Sequence, residues 1–151
     1  MANRQIDEFI AKYSPEIASQ LRKARAKLRT HFPRGFELVF DNYNALVFAI
    51  SPTEKSSQAF ISVAGYPRWV TLFFSHGTKL RDPQGLLEGS GKQVRSIRLE
   101  TAASITKPAV VALIAQAARL HRRELQDAPV LTTIIKSVVA RQRPRRPARK
   151  Q

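Results

Sequence analysis

The chain has 151 residues, of which 43% are hydrophobic, and a formal net charge of +15 from 26 Lys and Arg against 11 Asp and Glu. This length supports one hydrophobic core but not two ordinary domains. Cysteine is absent, which excludes disulfides, thiolate metal sites and a nucleophilic thiol. The sequence shows no signal-peptide pattern and no apolar run long enough to span a membrane, so we expect a cytoplasmic protein with no membrane partner.

The positive charge is densest at the C-terminal end. Residues 141–151 contain no acid and six cations, which are Arg141, Arg143, Arg145, Arg146, Arg149 and Lys150. Such a charge distribution attracts phosphate-bearing polymers, because like charges add up to a positive potential over the whole surface. No motif for reading bases is present, so we predict no sequence specificity.

Two helices are predicted at the N-terminal end. Ile6, Phe9 and Ile10 have helical spacing and indicate a first short helix. Ser14 and Pro15 are typical of a second helix start. The apolar stripe of that second helix consists of Ile17, Leu21, Ala24 and Leu28.

Strands are predicted next, because β-branched and aromatic residues alternate with turn residues from Phe36 onward. The predicted strands are 36–41, 43–51, 58–64, 68–75 and 94–99. The first four have short connectors, which favour antiparallel neighbours.

A further helix is predicted to begin near Pro108. The segment Leu131–Val139 also has helical spacing, and we favour a helix, although its many β-branched residues make a strand the alternative. The chain is thus divided into a domain at 1–127, a helical extension at 128–140 and a disordered basic tail at 141–151. This order of elements predicts an α+β fold in which an antiparallel sheet of about five strands is covered by N-terminal and C-terminal helices.

The segment Leu86–Leu99, with the sequence LLEGSGKQVRSIRL, closely resembles the signature of the YdhG-like family of small bacterial domains. The aromatic strands in Ala59–Phe74 give weaker support, and the resemblance extends over about Ile6–Leu120. It implies the same α+β order. Some members have been likened to frataxin and proposed as intracellular iron chaperones for iron–sulfur cluster assembly, which the resemblance implies as an alternative function. The thinly spaced acids of this chain are poor ligands for hard iron, which favours clustered carboxylates.

The loop Gly89–Lys92 contains glycines and a lysine, as phosphate-binding loops do. It lacks the Walker spacing, and a strand rather than a helix is predicted to follow, so we interpret it as a compact turn or a simple anion-binding turn. Lys92, Arg95 and Arg98 are its candidate anion contacts. Strand alternation places Arg95 on the face of Ile97 and Leu99, and Arg98 on the other.

No catalytic residue, metal site or cofactor is predicted, because His31, His76 and His121 have no metal-ligand partners at suitable spacing. We therefore expect a non-enzymatic binding protein for nucleic acid or another polyanion. Tyr66 and Trp69, at a turn, are the aromatic residues that best suit a groove or a partner surface. A homodimer formed through an uncovered sheet face or through Leu131–Val139 is a further prediction.

Overall fold

The computed structural model describes residues 2–147. The fold is α+β, as predicted, with helices packed against one mixed sheet. The helices are α1 (Ala2–Ala11), α2 (Pro15–Thr30), α3 (Pro108–Leu120) and α4 (Arg122–Gln126). The strands are β1 (Phe36–Asp41), β2 (Leu46–Ser51), β3 (Ile61–Gly65), β4 (Val70–Phe74), β5 (Arg95–Leu99) and β6 (Thr132–Val138).

The sheet has six strands in the order β5-β4-β3-β2-β1-β6. Strands β1 to β5 form an antiparallel meander, as their connectors predicted. Strand β6 returns to the far edge and pairs with β1 in parallel. The expectation of a purely antiparallel sheet of about five strands is therefore wrong in strand number and in the direction of one pair.

The prediction of a helical extension at 128–140 is wrong, because residues 132–138 form β6. The β-branched side chains decide between the two alternatives, since they pack well on a sheet and lose side-chain freedom in a helix. Thr133 and Ile135 face the helices, and Ile134 faces the opposite side of the sheet. The outer edge of β1 supplies the backbone partners that fix the segment as a strand.

Helices α1, α2 and α3 cover one face of the sheet and share a single core with it. The apolar stripe predicted for α2 is buried along its whole length. Leu21 packs so closely on β3 that a Cβ on Gly65 would lie 2.6 Å from its Cδ2 atom. Glycine at this position therefore permits the close approach of α2 to the sheet.

A buried carboxylate joins α2, β1 and β6. The Glu37 side chain is 1% exposed and accepts hydrogen bonds from Arg25 at 2.7 and 2.9 Å, Arg29 at 2.6 Å and Thr133 at 2.8 Å. Burial raises the pKa of Glu37, but the hydrogen bonds and charges of Arg25 and Arg29 outweigh it, so the pKa lies below its ordinary value. Glu37 thus holds the last strand to the first and to the helix layer.

The loop before β5 folds back onto that strand. The Asp82 carboxylate accepts hydrogen bonds from the backbone N–H groups of Leu86 and Leu87 at 2.9 and 2.8 Å. Glu88 and Ser96 then exchange two backbone hydrogen bonds. These contacts favour the compact-turn interpretation of the loop.

Within residues 2–147, no helix is both long and apolar enough to cross a bilayer.

Candidate functional site

Three chain segments meet at one end of the sheet. The turn Asn42–Ala45 joins β1 to β2, and the turn Tyr66–Trp69 joins β3 to β4, so both lie at the same end. Strand β6 also ends there because it is parallel to β1. The residues after β6 pass this end, where Arg143 donates its backbone N–H to the Tyr43 carbonyl at 2.8 Å.

Arg145 fixes the segment that follows β6. Its side chain is 2% exposed and donates hydrogen bonds to the Asp41 carboxylate at 2.9 Å and to the Tyr43 carbonyl at 3.1 Å. It also donates to the Asn42 carbonyl and lies over the Tyr13 ring. The prediction of a disordered tail is wrong for residues 141–147, because Arg145 finds a buried counter-charge and carbonyl acceptors at the sheet end.

Asp41 is the counter-charge of this arginine and is itself fully buried. Lys12 donates a second charged hydrogen bond to the other carboxylate oxygen. Burial raises the pKa of Asp41, but the hydrogen bonds from Lys12 and Arg145 outweigh it and hold the pKa below its ordinary value.

We expect acid to weaken the fold through Asp41 and Glu37. The pKa of each carboxyl is lower in the folded than in the unfolded chain, so its contribution is complete above the ordinary pKa and is lost as pH falls through the folded value. Urea unfolding at pH 7, 5 and 3 should show a loss of free energy of unfolding mainly below about pH 5. The D41N variant should show a shallower loss, and an equal loss in both proteins would contradict this role of Asp41.

An arginine-rich groove lies between the turn Tyr66–Trp69 and the anchored segment. Its volume is about 640 Å³, and its walls are Asn44, Tyr66, Pro67, Arg68, Trp69, Arg143, Pro144, Arg146 and Pro147. The three arginines are exposed, and the lining contains no acid. The groove therefore combines cations with aromatic rings, as proteins that bind single-stranded nucleic acids commonly do. We call it the arginine–aromatic groove.

Contacts around the groove hold its side chains in place. The Tyr66 and Trp69 rings lie 5.8 Å apart, and the Arg98 guanidinium stacks on Trp69 at 4.1 Å from the ring centroid. The Arg146 Nε atom donates to the Lys12 carbonyl at 3.2 Å, at the end of α1. These contacts reduce the side-chain entropy that a ligand would otherwise have to remove.

Only some of the tail cations that were predicted to contact a polyanion lie together in the structure. Arg143 and Arg146 line the groove, and Arg141 is exposed outside its lining. Arg145 is not available to a polyanion because it is buried against Asp41. The remaining two predicted contacts, Arg149 and Lys150, lie outside the described residues.

The three predicted contacts near β5 do not form one site. Arg95 donates to the Gly91 and Val94 carbonyls at 2.7 Å each, while Lys92 is exposed in the loop. Arg98 lies on the opposite face from Arg95, as strand alternation predicted. Its stacking on Trp69 connects it to the arginine–aromatic groove, although it is absent from the lining.

Sequence reasoning singled out Tyr66 and Trp69 but missed Arg68 and Asn44. Arg68 lies between the two aromatic residues in the turn, and that spacing was a usable signal. Asn44 had no such signal, because its place in the groove depends on the fold of the tail.

A scan against protein-family models, a search of curated proteins and a search of solved structures each found no match to this chain. The likeness to the YdhG-like family therefore remains a prediction based on the residues quoted above. Within residues 2–147, no three His, Asp or Glu side chains are grouped closely enough to hold a metal ion. The iron-chaperone alternative accordingly gains no supporting site.

Proposed function

We propose that this protein binds single-stranded nucleic acid, without sequence specificity, in the arginine–aromatic groove. The observation that carries the proposal is the convergence of Arg68, Arg143 and Arg146 beside Tyr66 and Trp69 in a lining without acids. Arginine forks bind phosphate oxygens, and the aromatic rings provide surfaces on which unpaired bases stack. The net charge of +15 adds long-range attraction to the same ligand.

Single strands are favoured over duplexes because the groove pairs its cations with ring surfaces. Bases in a duplex are already stacked on each other, whereas an unpaired base is free to contact a side chain. No feature of the groove separates RNA from DNA, so both are tested. Binding as such requires no chemical step, and the proposal is therefore for a non-enzymatic protein.

The proposal predicts the salt dependence of binding. If the three groove arginines each neutralise one phosphate, the slope of log K against log salt should be about −2, from about −0.7 per phosphate of a single strand. The variant with Arg143→Gln and Arg146→Gln should reduce this slope to about −0.7. Trp69 is the only tryptophan of the chain, so its fluorescence in titrations with 12-nucleotide oligo(U) and oligo(dT) reports on the groove directly.

A matched control carries Arg81→Gln and Arg123→Gln, which remove the same charge from exposed positions outside the groove. Its affinity and slope should stay close to those of the unmodified protein. Equal weakening in both double variants would show that net charge alone drives binding. No change in Trp69 fluorescence at about 50 mM salt, or preference for a 12-base-pair duplex, would overturn the proposal.

A further inference from the structure

A second basic pocket lies away from the arginine–aromatic groove, between the end of α2 and the junction of α3 with α4. Its volume is about 240 Å³, and its walls are His31, Phe32, Pro33, Arg34, Ala118, Arg119, Arg122, Leu125 and Gln126. It shares no residue with the arginine–aromatic groove. We call it the helix-junction pocket.

The charges of this pocket are uncompensated by its own walls. Arg34, Arg119 and Arg122 are exposed, and the lining contains no acid. Among the hydrogen bonds and ion pairs of residues 2–147, none involves the side chains of these three arginines. Guanidinium groups without a partner, gathered at one concavity, are suited to the oxygens of a phosphate group.

The pocket also has apolar walls. Ala118 and Leu125 are partly exposed where they pack on the hydrophobic core, and Pro33 adds a further exposed apolar surface. A bare inorganic anion would not use these walls, whereas an organic phosphate with an apolar ring would bury that ring against them. The volume lies below the usual range for drug-sized ligands, which limits the body of the ligand to about one ring.

The backbone on one side of the pocket is held firmly. Arg34 forms an antiparallel bridge with Val130, and Leu131 donates its N–H to the Pro33 carbonyl at 2.9 Å. Gly35 donates its own N–H to the Pro129 carbonyl at 2.8 Å. The wall that carries Arg34 is therefore fixed relative to the chain that follows α4, and less order has to be imposed when a ligand binds.

We infer that the helix-junction pocket binds a small organic phosphate, with the phosphate held by Arg34, Arg119 and Arg122 and an apolar ring placed against Pro33 and Leu125. His31 lines the same pocket, and its pKa is lowered by burial and by the charge of Lys27. It is therefore mostly neutral at pH 7, and the arginines supply the positive charge. The inference is independent of the function proposed above.

The test uses phenyl phosphate as the probe and isothermal titration calorimetry with the full chain. Phenyl phosphate should bind this pocket more tightly than inorganic phosphate or phenol does, because only the first ligand uses both the cations and the apolar walls. Arg122→Gln should weaken binding about tenfold, the effect of losing one charged hydrogen bond. Inorganic phosphate that binds as well as phenyl phosphate would refute the role of the apolar walls.

Arg123→Gln is the matched control, because it removes the same charge from the next residue of α4, which is exposed and does not line the pocket. It should leave the affinity for phenyl phosphate within about twofold, since screened charges outside direct contact contribute little. Equal weakening by the two variants, or no saturable binding of phenyl phosphate at millimolar concentration, would overturn the inference. Oligonucleotide binding by Arg122→Gln should be unchanged, which separates this test from that of the arginine–aromatic groove.

Discussion

Replacing Arg145 by alanine is expected to release the segment after β6 and to weaken nucleic-acid binding, although Arg145 does not line the arginine–aromatic groove. Arg143 and Arg146 belong to the segment that Arg145 anchors in the sheet end, so we expect its release to move both away from the groove. Asp41 keeps Lys12 as a partner, and the freed segment can move into water, so the global loss of stability should be about 2 kcal/mol, below the usual range for a broken buried pair. Affinity for oligonucleotides should fall toward that of the variant with Arg143→Gln and Arg146→Gln, which keeps only Arg68 in the groove.

Release of the segment can be measured by the rate at which trypsin cuts after Arg141, a bond that the substitution leaves in place. Cleavage should be faster in Arg145→Ala than in the unmodified protein, because the opened segment reaches the protease more often. Glu8→Gln is a control for nonspecific charge change at an exposed site. If Arg145→Ala keeps both the cleavage rate and the affinity, Arg145 does not act as the anchor.

Replacing Glu37 by glutamine is expected to cause the largest loss of stability, about 3 kcal/mol. The neutral side chain accepts weaker hydrogen bonds and leaves Arg25 and Arg29 without their buried counter-charge. For a chain of this length, that loss corresponds to a fall in melting temperature of roughly 6 to 12 °C. Urea unfolding at pH 7 gives the free energy directly.

The exposed acid Glu100 is the matched control, since Glu100→Gln changes the net charge equally without touching a buried pair. Its effect should be within about 0.5 kcal/mol of zero. Glu37 becomes protonated in acid. The difference in free energy of unfolding between the unmodified protein and the Glu37→Gln variant should therefore shrink as pH falls below about 4. A difference that persists at low pH would mean that the glutamine disturbs packing rather than charge.

The sequence predicted the order of the first five strands and of the first three helices, because their apolar residues recur with clear periods and their turns contain proline, glycine or asparagine. It did not decide the conformation of Leu131–Val139, whose apolar spacing suits either a helix or a strand. The edge of β1, more than ninety residues earlier, decides it. Pairing with β1 covers only part of the segment, because Val138 and Val139 stay 52% and 37% exposed. A homodimer through this segment or through the open sheet face therefore remains a prediction.

The candidate site was harder to predict for a related reason. Nothing in the sequence distinguishes the six tail cations from one another. In the structure, the buried Asp41 carboxylate on β1 pairs with Arg145, whereas Arg143 and Arg146 stay exposed. Pairings between residues about a hundred positions apart carry no local pattern. Tyr66 and Trp69 could be predicted as surface residues from the local sequence alone. They lie at a turn, and a turn places its residues at the surface independently of the rest of the fold.

The parallel pairing of β6 with β1 has a consequence for synthesis. Glu37 and Thr133, which join these strands, are 96 positions apart, so the first strand lacks its outer neighbour until the chain has been synthesised through β6. Until then β1 is an open edge that carries phenylalanine and valine, and such edges favour pairing with other chains. A product cut short before Thr132 would therefore keep an aggregation-prone edge on β1.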